Sequence, residues 1–336
     1  MRKVIASTLI LAFALAIPGS SHPAQAARAK NEIRIATLAP RNTDLTRGFN
    51  KIDQALRKAT DGEWGIRLYP SGVAGDEKDV IRKMRVGQMD ASIVTTTGLS
   101  QIVREVAVLN APGVIPGYKE LERVQKAMSK EWEKTFRENG FELVSWGESG
   151  QYRYFSNAPI TNIKTDMPKM RPWLWPESHV MKEIYNAVGA HGVPLGVPEV
   201  YGALQTKMID SLISTSLATV ALQWHSKLNH VTSETSGVLL GAMIVNKKKW
   251  DSIPEDVRKT LDEQIRKNTE GDSKTVRKND LKAYKKLLKR GYTATKYTKA
   301  GQKEWDNMAA TVRKRMTGRV YPKDLLSRVQ KIAKGG

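Results

Sequence analysis

The chain of 336 residues has no cysteine. That excludes disulfides, thiolate catalysis, zinc–thiolate sites and a lipidated N-terminal cysteine, though it does not fix a compartment by itself. Histidines are few: His22, His179, His191, His225 and His230. None has HExxH-type spacing, and a zinc site built on His225 and His230 would need ligands that no motif supplies. There is no G-x-S-x-G elbow, no Walker A loop and no G-x-G-x-x-G fingerprint, so the common hydrolase, nucleotide-binding and dinucleotide-binding classes find no support. No enzyme activity, cofactor or metal is expected. Acidic side chains are scarce, 34 against 55 Lys and Arg, a formal net charge of +21. Beyond the N-terminus no apolar run is long enough to span a bilayer.

The N-terminus carries the clearest positive signal. Arg2 and Lys3 precede an apolar core, Val4 to Ile17, which Pro18-Gly19 breaks before Ala24-Gln25-Ala26. This is the pattern of a secretory signal peptide spanning 1–26, and it implies export to the periplasm. Export argues against nucleic acid as the partner of the basic surplus. That surplus is uneven: residues 247–336 hold 26 basic and 11 acidic side chains, a net +15. Two readings stay open for it, a solvated face and transient contact with an anionic membrane surface.

The remainder alternates between strand and helix patterns. Glu32 to Leu38 reads as a strand, Thr46 to Ala59 as a helix, and Trp64 to Tyr69 as a strand. Pro70 to Gly75 is a turn, Asp76 to Val86 a helix and Met89 to Thr95 a strand; Leu109 to Ile115 is expected as a further strand before a helix over 118–139. In Lys169 to Ser216 the order is strand, helix, strand, helix, strand, which predicts crossovers and a mostly parallel sheet. Pro254 to Arg290 reads as one long helix or two. The class is α/β, with room for two domains.

Arg171 and Trp175 each precede a proline, which favours extended backbone. Alternation would then place Arg171, Trp173 and Trp175 on one face, a planar cation beside two indoles. Such a face suits an anionic ligand with an apolar or aromatic body. A surface or interdomain salt bridge remains open for Arg171, and packing for Trp175. Arg153, between Tyr152 and Tyr154, faces opposite to both if extended.

Three segments carry a resemblance: "GIRLYPSGVAGDEKDVIRKMRVGQMDASIV", "GESGQYRYFSNAPI", and "KMR" followed by "GVPEVYGALQTKMIDS". In this order they resemble the solute-binding proteins of TRAP (tripartite ATP-independent periplasmic) transporters, over nearly all of the chain after residue 31. The resemblance implies a two-lobed periplasmic binding protein fold, with a ligand cleft between the lobes and a long C-terminal interdomain helix. It implies domain I from 31–150 plus 238–270 and domain II from 151–237 plus 271–334. It also implies that Arg171 contacts a substrate carboxylate, that Arg153 and Glu199 lie near the cleft, and that TRAP permease subunits are the partners. For Glu199 the competing role is a helix N-terminal acid.

The sequence departs from the sialic- and dicarboxylic-acid binders of that family at Leu212-Ile213-Ser214-Thr215, where those carry a Gln-Glu-Asn-Pro-like run. Ser214 keeps a hydroxyl at the Asn position. The expected ligand is therefore a small organic acid, a monocarboxylate with an apolar or aromatic body, held by Arg171, Arg153, Trp173, Ser214 and Glu199. The alternative is a hydrophobic, lipid-like ligand in the same fold.

Overall fold

The computed structural model describes residues 28–269 and 272–336; the segment read as a signal peptide lies outside them. There are ten strands among the described residues: β1 Asn31–Thr37, β2 Trp64–Tyr69, β3 Ala91–Thr95, β4 Phe141–Ser156, β5 Trp173–Leu174, β6 Val193–Pro194, β7 Ser211–Thr215, β8 His230–Thr232, β9 Val238–Asn246 and β10 Thr293–Thr295. Eight of them form one sheet in the order β10-β8-β4-β9-β3-β1-β2, with β7 also on β4; β5 and β6 form a small parallel pair.

The long strand β4 joins the two lobes. From Phe141 to Gln151 it pairs antiparallel with β9, and from Tyr152 to Ser156 it pairs antiparallel with β7. The register slips between Leu143 and Ser145 and again between Glu148 and Gln151. Such bulges bend and twist a strand, which lets one strand serve two differently oriented sheet portions. At the second bulge Gly150 has φ +107°, and a Cβ there would lie 2.3 Å from the Asp280 carboxyl carbon. Only glycine fits both the dihedral and the space.

The expected mostly parallel sheet is corrected. β2-β1-β3 is parallel, but β3-β9, β9-β4, β4-β7 and β4-β8 are antiparallel. Leu109 to Ile115 is no strand: a 3-10 turn, Arg104–Asn110, runs into Pro112 and a left-handed Gly113, which cannot sustain a ladder. The stretch Pro254 to Arg290, read as one long helix or two, is helical over Glu255–Thr269 and Asp272–Lys289. The strand–helix order of 169–216 is as expected, yet its strands are short, and β7 pairs with β4.

Local chemistry accounts for the helix starts that matter to the cleft. Thr43 caps Asp44–Ala59 by accepting from Thr46 N, and Asp76 caps Glu77–Arg85 by accepting from Glu77 N. Ser178 caps His179–Val188, which ends on left-handed Gly189. One face of β1–β3 is closed by Phe49, Ile52 and Leu56 with Leu261 and Ile265 from Glu255–Thr269. Among the described residues no helix is long and apolar enough to cross a membrane.

Candidate ligand-binding site

A cavity of about 370 Å³ lies where β4, β9 and the helices of both lobes converge, within the ~300–1,000 Å³ range of small-molecule clefts. Five of the eight tryptophans line it: Trp146, Trp173, Trp175, Trp224 and Trp305. Trp173 is the centre of this wall. It stacks on Trp175 at 5.8 Å and meets Trp224 edge-on at 5.4 Å. Its indole N–H donates to Leu195 O at 2.8 Å, so its polar handle is spent and an apolar face is left for the cavity. Phe49, Ile93, Met181, Ile184 and Met243 extend the apolar wall.

Among the described residues no lysine, arginine or histidine lines the cavity; the carboxyl groups on its wall are Asp44, Glu77 and Glu148. Glu77 is buried, and Thr95 N, Thr95 Oγ1 and Gly98 N all donate to its carboxyl at 2.7–2.9 Å. Burial outweighs those bonds and pushes its pKa up to about 8. Glu148 is raised by burial too, against the opposing pull of Arg277, which donates to Glu148 Oε1 at 2.8 Å. Asp44 accepts from Asn279 Nδ2 at 2.9 Å, a bond that links the start of one lining helix to the middle of another. The cavity is thus apolar with few net charges, and none of them positive.

The five residues singled out in the sequence separate here. Trp173 and Ser214 line the cavity; Arg171, Arg153 and Glu199 do not. Arg171 bonds Asp210 through its backbone N at 2.8 Å and Nε at 3.1 Å, with 57 % of its side chain exposed. The shared face with Trp173 and Trp175 is corrected: β5 begins only after Pro172, so the alternation does not reach back to Arg171. Arg153 lies opposite Tyr152 and Tyr154, the two that line the cavity. Its Nη1 donates to Thr232 O at 3.0 Å and also to Ser233 O, and its guanidinium sits 4.1 Å from the Tyr284 ring. Glu199 accepts from Gly196 N at 2.7 Å in the 3-10 turn that precedes Val200–Gln205, the local role of a helix-start acid. Ser214 is buried and pairs with Arg153 in the β4–β7 register.

Sequence reasoning missed Trp146, Trp224, Glu77, Asn110 and Trp305. Trp146 and Trp224 carry no motif of a site, and Glu77 falls in a stretch read only as part of a helix. Asn110 and Trp305 lie in segments with no local signal of a site. No group of three His, Asp or Glu among the described residues is placed to hold a metal ion.

Two lobes that share a long strand beside an apolar cavity have the architecture of a solute-binding protein, and comparison with known proteins gives the family. A family model described as "Bacterial extracellular solute-binding protein, family 7" matches residues 35–319. The chain belongs to this family, the TRAP solute-binding proteins: periplasmic proteins that bind a solute for transport and do not transform it. It is 23% identical over 323 residues to the C4-dicarboxylate-binding periplasmic protein DctP of Rhodobacter capsulatus, covering 92% of this chain and 91% of that one. It is 22% identical over 208 residues to the ectoine/5-hydroxyectoine-binding periplasmic protein UehA of Ruegeria pomeroyi, covering 60% of each. Among solved structures, the Shewanella oneidensis TRAP protein with bound succinate superposes with a TM-score of 0.83 at 17% identity, over 90% of this chain and 99% of that one. The Desulfovibrio salexigens protein with bound orotic acid gives 0.80 at 18% identity, over 90% and 98%.

Proposed function

We propose that the protein captures a small molecule with an apolar body, bearing little or no charge, and presents it to a TRAP permease. The observation that carries this reading is the lining of the cavity: five indoles, further aliphatic walls and, among the described residues, no basic side chain. Magnitudes favour it. Each buried CH₂ contributes about 0.8 kcal/mol, whereas an ion taken from water without a partner costs several kcal/mol. A C4-dicarboxylate would bring two such ions to a wall whose own ionisable groups are acids. The second reading is a monocarboxylate with an apolar body, favoured by the organic acids bound to the related Shewanella and Desulfovibrio proteins. Arg171 and Arg153 would have to leave their present partners to serve it.

The test is a thermal-shift series with decanol, decanoate, succinate and galactonate. A ligand specific to the native state raises the melting temperature in proportion to its occupancy. Decanol is expected to stabilise at least as well as decanoate, with succinate and galactonate inert. Stabilisation by succinate or galactonate alone overturns the proposal; stabilisation by decanoate alone promotes the second reading.

A hydrophobic cargo also gives meaning to the basic surplus. On Asp272–Lys289, Lys274, Lys278, Lys282, Lys285 and Lys289 are exposed with Leu281, which is 51% exposed, and no described residue on that exposed face is acidic. Val276 and Asn279 of the same helix line the cavity. We propose that this face touches anionic lipid transiently, at about 1 kcal/mol per lysine near the surface. Co-sedimentation with phosphatidylglycerol vesicles is expected at low salt and should fade with added salt. Equal binding to neutral phosphatidylcholine vesicles would count against it.

A further inference from the structure

We infer that Tyr152 and Asn110 form a polar subsite in this cavity that recognises a single hydroxyl on an otherwise apolar ligand; the inference rests on the reading just proposed and sharpens it. Both residues line the cavity, Tyr152 from β4 and Asn110 from the end of the 3-10 turn Arg104–Asn110. Asn110 Nδ2 donates to Tyr152 Oη at 3.1 Å. Two capacities are then left over. The Tyr152 O–H still has a proton to donate, and Asn110 Oδ1 is buried with no hydrogen-bond partner. The pair therefore offers one donor and one acceptor on adjacent side chains. Turning the amide end for end does not change this. The tyrosine would donate to Oδ1 and keep a free lone pair, while Nδ2 would keep a free N–H, again one donor and one acceptor.

One donor beside one acceptor is the complement of a hydroxyl, which accepts with a lone pair and donates its proton. It is a poor complement of a carboxylate, which can only accept and would meet the Asn110 oxygen. It is equally poor for an ammonium, which can only donate. The electrostatics point the same way. Burial and the proximity of Glu77 raise the Tyr152 pKa, so the phenol stays protonated and able to donate. Glu77, also on the cavity wall, offers an anionic head group no positive charge to pair with. An unpaired buried acceptor is costly, and this one belongs to a residue that lines the cavity. The chemical class that fits is a neutral amphiphile: a hydrocarbon body against the indoles of Trp173, Trp175 and Trp224, and one alcohol at the Asn110–Tyr152 end.

The test uses the full mature chain with N-phenyl-1-naphthylamine as a neutral fluorescent reporter, displaced by decane, decanol, decanoate and decylammonium. Decanol is expected to displace at the lowest concentration, about 10-fold below decane, the size of one or two hydrogen bonds. In Tyr152→Phe the decanol advantage should fall to within about 2-fold of decane, while decane itself is unchanged. Asn110→Leu should do the same and provides a second variant should Tyr152→Phe fold poorly. A preference for decanoate or decylammonium, or a decanol advantage that survives both substitutions, overturns the inference. If all four probes displace equally, the apolar-cargo reading stands and only the hydroxyl subsite falls. If none displaces the reporter while succinate does, both fall together.

Discussion

Raising the pH from about 4.5 to about 8 is expected to lower the stability of the protein, and Glu77→Gln is expected to remove much of that dependence. The Glu77 carboxyl is held protonated in the fold up to about 8, against 4.5 for an ordinary glutamate. Between those values the unfolded chain has released the proton and the folded chain still holds it. Stability therefore falls as pH rises through the window, and the contribution is fully present below the unfolded pKa. The bound is ~1.4 kcal/mol per unit of pH, so on the order of 5 kcal/mol over the window. Asp76, Asp280 and Glu148 are also raised by burial and add slope of the same sign. His179 and His225 are lowered by burial, so their contribution is present above their unfolded pKa and is lost as pH falls below about 6.5; they act at the acid end with the opposite slope. Glutamine cannot ionise, but it retains one oxygen where the carboxyl had two. Thr95 N and Gly98 N donate to different oxygens of Glu77, so one amide N–H loses its acceptor. That costs ~1–3 kcal/mol at every pH. Urea unfolding of both proteins at pH 5, 6.5 and 8 would therefore give a wild-type curve that falls toward, and at full effect below, a flatter Glu77→Gln curve as the pH rises. Parallel curves would mean that Glu77 is ionised in the fold at neutral pH.

Much of the frame was legible because it is written in local patterns. The helices Asp44–Ala59, Glu77–Arg85 and Tyr118–Glu138 follow apolar spacing and caps, and the strand–helix order of 169–216 follows its prolines and glycines. What escaped was what depends on residues far apart in sequence. β9 returns to pair antiparallel with β3 more than 140 residues after it and with β4 some 87 to 105 residues after it, and no turn signal announces either pairing. Arg171 looked like a ligand anchor because its local context is extended, but Asp210, 39 residues on, claims both its backbone N–H and its guanidinium. The cavity draws its walls from nearly every element. Asn110 and Tyr152 meet across 42 residues, and no spacing rule relates them. Two sequence features pointed to an apolar cleft: the indoles of Trp173 and Trp175, and the departure at Leu212-Ile213-Ser214-Thr215, where a hydroxyl with less reach stands in place of an amide.

Asp280→Ala is expected to destabilise the protein by about 2–5 kcal/mol, because one side chain holds three elements behind the cavity. Asp280 is 5% exposed. Its Oδ2 accepts from Gln151 N at 3.1 Å, just past the β4 bulge, and its Oδ1 accepts from Leu217 N at 2.9 Å, in the first turn of the helix Ser216–Ala221. That turn presents backbone N–H groups with no helical partner, and a carboxylate there also meets the positive end of the helix dipole. Removing the carboxyl leaves two buried N–H donors unpaired at ~1–3 kcal/mol each, and it takes away an acidic partner of buried Arg153. Alanine also opens the space that excludes any side chain at Gly150. Asp280→Asn keeps one acceptor and should fall between wild type and Ala. The effect should reach the site, since Val276, one turn before Asp280, and Asn279, next to it, line the cavity, and Leu217 lines it from the facing helix. Amide hydrogen exchange at Gln151 and Leu217 should accelerate in Asp280→Ala beyond the change caused by global destabilisation, and N-phenyl-1-naphthylamine should bind more weakly. If exchange at those two amides rises only in step with the rest of the sheet, Asp280 is an ordinary buried residue and β4 is held at its bulge by other contacts.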